Sequence, residues 1–178
     1  MSRRRARLLT TVVVALGVAL VGVGTFVALG TGPAAPVAAP KEDGAPRVRI
    51  AGPDVFTGET IELSELAGRP VVINIWASWC SGCNAEARDV AAFAAANPDV
   101  AVVGLNFQDS PDGARSFYER HGWDLRSIAD PDGRIAFELG LRGTPTTIFL
   151  DRDHREAARI VGETDLAGLE EGLAQATG

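Results

Sequence analysis

The chain has two cysteines, Cys80 and Cys83, separated by Ser81 and Gly82. Two thiols at this spacing can close on each other, and exchange of that bond with a partner's moves two electrons. The thiolate is the reacting form, and a free cysteine titrates near pH 8.5. Bringing it near 7 takes roughly 2 kcal/mol, at about 1.36 kcal/mol per unit. A helix N-terminus supplies about 0.3–1 kcal/mol, occasionally about 2. The dipole alone therefore falls short. Backbone N–H groups and the Cys83 thiol must add to it if Cys80 is to be the nucleophile.

The flanking residues provide such a place. Val71, Val72, Ile73, Ile75 and Trp76 form an apolar run interrupted only by Asn74, as in a central strand covered on both faces. The run leads through Trp79 into the cysteines. A helix follows them and stops at Asn97-Pro98. Cys83, Glu86, Val90 and Phe93 share one face of that helix, which puts Glu86 among apolar residues. Cys80 precedes the first turn and Cys83 lies in it, so Cys83 should be the more buried.

Other readings of the pair carry less. A structural disulfide over so short a loop closes little chain, and its entropic value is small. Structural zinc needs more ligands than two thiols, and His121 and His154 lie far along the chain. Copper(I) would suit the thiols, but the single methionine is Met1. A non-enzymatic copper carrier remains an alternative. So does a redox-inert adaptor, although it would need neither cysteine.

The scaffold is ordinary in composition, with 46% hydrophobic and 22% charged residues. Residues 1–46 hold five of the 17 basic and two of the 23 acidic side chains, so the remainder carries a net charge of −9. That acidity argues against nucleic acid, which requires a basic footprint. At the start, Arg3, Arg4, Arg5 and Arg7 precede an uncharged stretch over residues 8–30. As a helix this stretch would span roughly 34 Å against a hydrocarbon core of roughly 30 Å. An uncleaved membrane anchor is the expectation, with a cleaved signal ending near Ala28-Leu29-Gly30 as the alternative. The arginines stay in the cytoplasm and the remainder faces outward, where disulfides persist. Residues 31–46 read as an extended Pro/Ala-rich linker, and residues 47–178 as one domain.

Along that domain, Val48, Arg49 and Ile50, then Thr60 to Leu63, suggest an N-terminal hairpin, and Ser64 to Leu66 a single helical turn ending at Gly68. A second apolar strand runs from Val100 to Leu105. Ser110 caps the next helix, with Pro111 at its first position and Gly122 past its end. His121 sits at that helix's end, where the dipole favours it, and reads as structural. A short strand near Ile128, a turn at Asp130-Pro131-Asp132-Gly133 and a short helix from Ile135 follow. Thr146 to Leu150 and Ala157 to Val161 form a closing hairpin. Leu166, Leu169 and Leu173 mark a C-terminal amphipathic helix. The class is α/β, with a mixed central sheet flanked by helices. His154 takes a turn position and receives no function.

Trp79-Cys80-Ser81-Gly82-Cys83 after an apolar strand, with Gly143-Thr144-Pro145-Thr146 about 60 residues later, resembles the thioredoxin superfamily. Leu66, then Gly68-Arg69-Pro70 through Trp79-Cys80 with Glu86, narrows the resemblance to the TlpA/ResA-like membrane-tethered thiol–disulfide oxidoreductases. So does Asp130-Pro131-Asp132-Gly133 ahead of Gly143-Thr144-Pro145-Thr146-Thr147. It covers about residues 47–175. Two positions depart: Gly82 stands where the family usually has proline, and so does Arg88. Gly82 leaves the first helical turn less rigid, which bears on the potential.

The resemblance implies a thioredoxin-like fold in which Cys80 attacks a partner disulfide and Cys83 resolves the mixed disulfide. Asn74 stands where thioredoxins bury an ionisable Asp, and the resemblance gives its proton-transfer task to Glu86; an ordinary helix-end glutamate is the alternative. Burial should raise the Glu86 pKa. Pro145 resembles the cis-proline facing the disulfide, with Thr144 offering backbone to a substrate. Trp79 lines the partner surface or packs in the core. No cofactor or metal is required. The implied partners are protein thiols and disulfides, with a membrane thiol carrier as electron source if the direction is reductive, as in cytochrome c maturation. An oxidant acting on exported proteins is the rival. A monomer is the default.

Overall fold

The computed structural model describes residues 32–39 and 46–178. The expected basic start and membrane helix at residues 1–30 lie outside the described residues. Among the described residues no helix is long and apolar enough to cross a membrane.

Among the described residues, six strands form one mixed sheet in the order β1 (Val37–Ala38), β8 (Glu156–Val161), β7 (Thr146–Leu150), β4 (Val71–Trp76), β5 (Ala101–Phe107), β6 (Arg126–Asp130). β4 (Val71–Trp76) lies at its centre, parallel to β5 (Ala101–Phe107) and antiparallel to β7 (Thr146–Leu150). β5 pairs in parallel with β6 (Arg126–Asp130), and β7 pairs antiparallel with β8 (Glu156–Val161). This is the thioredoxin-like α/β arrangement. Every residue of β4 is buried, because both faces of the sheet are covered.

Strand alternation sorts β4 into two core layers. Val72 and Trp76 point into one, with α1 (Ser81–Ala96), α2 (Pro111–His121) and α4 (Leu166–Thr177). Val71, Ile73 and Ile75 point into the other, against Ile61, Leu105, Ile128 and α3 (Arg134–Glu138). The same alternation turns Asn74 toward α1. Phe93 and Phe117 are fully buried in the first layer; truncating such a ring costs about 3–5 kcal/mol.

The helix ends follow the local sequence. The Ser110 hydroxyl accepts from Gly113 N at 3.0 Å, and Gly122 closes α2 at φ 65°. Buried Asp130 accepts from Ile135 N at 3.1 Å and Ala136 N at 2.9 Å, which fixes α3 to the end of β6. The three-residue strands β2 (Ala51–Pro53) and β3 (Thr60–Glu62) form the hairpin. Its first strand starts one residue beyond Ile50, so the expected Val48–Ile50 strand is displaced. Ile50 instead accepts from Leu63 N at 3.1 Å and reaches the core.

One segment departs from expectation. The stretch read as linker is not free along its length: β1 (Val37–Ala38) adds an edge strand to β8, opposite Arg159 and Ala158. Ala34 N donates to Glu163 O at 2.7 Å, and the Thr164 hydroxyl donates to Ala34 O at 3.0 Å. Prolines at 33, 36 and 40 suggested an isolated spacer; backbone groups between them found partners on an open sheet edge.

Candidate active site

Cys80 and Cys83 are joined by a disulfide, with Cα atoms 5.3 Å apart. Cys80 is the N-cap of α1, and its sulfur accepts from Cys83 N at 3.1 Å. The strand thus delivers this sulfur to the unpaired N–H groups of a helix start, where negative charge is favoured. Cys80 is 5% exposed and Cys83 1%, the order that helix geometry predicted.

Glu86, one turn further, is 2% exposed. Its Oε1 accepts from Asn74 Nδ2 at 2.8 Å and its Oε2 from Thr164 N at 3.0 Å. Burial pushes its pKa up to about 7 against the pull of these two hydrogen bonds, and the neighbouring Glu163 and Asp89 add to the rise. Asn74 also donates to Thr147 Oγ1 at 3.0 Å. The expected raised carboxyl is therefore present, held by the same Asn74 that cannot itself ionise.

The Thr144–Pro145 bond is cis. A Cβ on Gly82 would lie 3.0 Å from Pro145 Cδ and 3.4 Å from Glu163 Oε2, so these residues converge beside the cysteines. Pro145 O accepts from Gly162 N at 2.9 Å, while no hydrogen bond engages Thr144 among the described residues. Trp79 is 59% exposed, which removes core packing as its role, and its indole N–H donates to Gln108 O at 3.1 Å. Trp76 is the buried member of the pair, packed 4.4 Å from Phe117.

Two supports were not read from the sequence. Asp109 grips the loop ahead of Cys80: Oδ2 accepts from Ser78 N at 2.6 Å and Oδ1 from Ser78 Oγ at 2.7 Å. Asn84 Nδ2 donates to Ser78 O at 3.0 Å and Cys80 O at 2.8 Å. Arg120 Nη1 and His121 Nε2 lie 2.8 and 3.0 Å from Asn84 Oδ1. His121 thus braces the site loop through Asn84. Its pKa is lowered, first by burial and then by Arg120 and Arg88. The signal available in sequence was a polar residue at each end of an apolar strand, which names no partner. His154, left-handed at φ 59°, is buried with Nε2 3.2 Å from Leu66 O, at the opposite end of β4 from the cysteines.

Residues 41–173, most of the chain, fit the family described as Redoxin. The chain belongs to the redoxin family, within the thioredoxin superfamily. Among its relatives, the thiol:disulfide interchange protein DsbE of Pseudomonas aeruginosa is 32% identical over 112 residues, 62% of this chain and 61% of that protein. DsbE of Vibrio cholerae is 31% identical over 66% of this chain and 63% of that protein. The chain spans about three fifths of the length of these two relatives. A secreted thiol-disulfide isomerase from Corynebacterium glutamicum superposes with a TM-score of 0.70 at 31% identity, over 79% of this redoxin and 91% of that chain. A DsbF homologue from Corynebacterium diphtheriae gives a TM-score of 0.70 at 28% identity, over 82% and 95%. Relatives of this redoxin are thus thiol–disulfide oxidoreductases.

Proposed function

We propose that this redoxin is an extracytoplasmic thiol–disulfide oxidoreductase working on protein dithiols and disulfides, in the reductive direction. The observation that carries the reading is the Cys80–Cys83 disulfide at the start of α1, with a backbone N–H on the Cys80 sulfur. In the reduced protein the Cys80 thiolate attacks one sulfur of a partner disulfide and expels the other as a thiolate. The Cys83 thiolate then attacks Cys80 Sγ, which frees the partner's second thiolate and re-forms the internal disulfide. Two electrons leave the protein, and the partner's two thiolates take up two protons, one given to water when Cys80 ionised and one from Cys83 by way of Glu86. Glu86, one turn beyond Cys83 and poised near neutral pH, receives the Cys83 proton. Thr144 offers its free backbone groups to an extended substrate, and Trp79 lines the other side.

In this reading residues 1–30 anchor the chain with the arginines inside, residues 31–46 lead to the domain, and a monomer suffices. Substrates are haem-attachment or copper-site cysteines kept reduced, and a membrane thiol carrier restores the dithiol. No cofactor or metal is needed, because the cysteines carry both electrons. A second direction, an oxidant serving exported proteins, would run the same two cysteines in reverse. Turnover of a peptide disulfide by Cys80→Ser and Cys83→Ser tests the chemistry. Cys80→Ser should be inactive, and Cys83→Ser should trap a mixed disulfide. Sustained turnover by Cys80→Ser contradicts the mechanism.

A further inference from the structure

A partner sulfur that reaches Cys80 brings its polypeptide over the surface around that residue. Trp79, next in the chain, is 59% exposed, and its ring is 6.4 Å from that of Phe107. Phe107 in turn meets Phe137 edge-on, 5.6 Å away. Phe107 is buried, but Phe137 projects from α3 and is 58% exposed. Single exposed apolar side chains are ordinary. These two are joined through a shared ring and run outward from the reacting disulfide.

The arrangement is held from below. Gln108, left-handed at φ 46°, presents the carbonyl that receives the Trp79 indole. Gly133 closes the base at φ 74°: a Cβ there would lie 2.7 Å from Phe107, 3.0 Å from Phe137 and 3.1 Å from Gln108 Nε2. Any side chain at 133 would push the rings apart. On the other side of the cysteines stand Pro145 and the exposed carboxylate of Glu163, so an apolar group has its place on the Trp79 side.

We propose that Trp79, Phe107 and Phe137 form an aromatic docking strip that selects extended polypeptides with a large apolar side chain near the reactive cysteine. This rests on the oxidoreductase reading and adds a specificity to it. The strip is two ring steps long, 6.4 and 5.6 Å. Extended chain advances about 3.3 Å per residue, so the apolar side chain belongs about three to four residues from the cysteine. Exposed aromatic rings beside a reacting centre are the type of group that anchors a partner.

The test uses the reduced full-length protein and single-cysteine peptides carried as mixed disulfides with 2-nitro-5-thiobenzoate. The peptides differ only in Leu or Ser at the fourth residue from the cysteine, on either side. Attack by Cys80 on the peptide sulfur releases the yellow thiolate, and Cys83 then frees the peptide thiol. We expect the second-order rate constant for the leucine peptide to exceed that for the serine peptide about tenfold on one side, and Phe137→Ser to bring the ratio to about one. Phe56→Ser, at an exposed ring that packs on Tyr118 rather than on the strip, should keep the ratio. General damage to the site slows both peptides and leaves the ratio intact. A ratio unchanged in Phe137→Ser, or no leucine preference in a wild-type protein that reacts with 5,5′-dithiobis(2-nitrobenzoate), overturns the strip alone. A wild-type dithiol inert to that small disulfide overturns the redox reading as well.

Discussion

Asn74 donates a 2.8 Å hydrogen bond to Glu86 in the core beside the disulfide, and both side chains are almost completely buried. One comes from the central strand and the other from the helix that carries Cys83. The pair holds a carboxyl whose pKa burial raises to about 7, one turn from Cys83, the resolving cysteine of the proposed mechanism.

The first consequence is a pH dependence of stability. The Glu86 pKa rises from 4.5 in the unfolded chain to about 7 in the folded protein. The folded state therefore holds its proton more tightly. The stability this carboxyl contributes is full below pH 4.5 and is lost as pH rises through 7. Glu86→Gln removes the titration. Between about pH 4 and 8 its stability should shift in its favour by about 3 kcal/mol relative to wild type. Denaturant unfolding of the oxidised proteins at both pH values measures this; parallel pH profiles would mean that Glu86 does not titrate in this range.

In the reduced protein the same carboxyl faces a thiol pair. A thiolate and a nearby carboxylate disfavour each other, so their titrations are coupled. Glu86→Gln should alter the pH at which the reaction of the dithiol with a small disulfide rises. An unchanged profile would leave Glu86 as an ordinary buried side chain.

Asp109 offers a prediction on positioning. It holds both the backbone N–H and the hydroxyl of Ser78, two residues before Cys80, and also accepts from Asn106 Nδ2 at 3.0 Å. Asp109→Ala should cost about 1–3 kcal/mol through the donors left unpaired. It should also slow exchange at Cys80 more than Ser110→Ala does, since Ser110 only caps α2. Stopped-flow kinetics and unfolding on both variants separate these effects.

Asp130 carries a fourth. Its carboxylate accepts the N–H groups of Ile135 and Ala136 in the first turn of α3, so Asp130→Ala should destabilise the fold by about 1–2 kcal/mol. Because α3 bears Phe137, it should also blunt the leucine preference expected of the aromatic strip. Asp132→Ala, which removes only an exposed 3.3 Å acceptor of Arg134 N, should change both less.

The sequence disclosed features whose causes are local. Ser110, Pro111 and Gly122 marked both ends of α2, and the spacing of Cys83, Glu86, Val90 and Phe93 marked the buried face of α1. Asn74 on the α1 side of β4 follows from alternation once the strand is recognised. Cys80, Cys83, Pro145 and Glu86 were legible because the first two are the chain's cysteines and the resemblance singled out the others. What stayed hidden depends on distant partners. Val37–Ala38 pairs with residues more than a hundred positions away, and nothing in a Pro/Ala-rich stretch names an open edge. Asp109 grips a serine 31 residues earlier, and Thr164 supplies Glu86 from 78 residues on. The hairpin was foreseen but its first strand was not placed: it was expected at Val48–Ile50 and runs over Ala51–Pro53.

The reduction potential of the Cys80–Cys83 pair in the full-length protein, by equilibration with thiol buffers, tests the central claim most directly. The account predicts a reversible two-electron couple near or below about −250 mV, close to thioredoxin's. A couple near about −120 mV would contradict the reductive direction and leave an oxidant of exported proteins. No reversible couple would contradict the oxidoreductase itself.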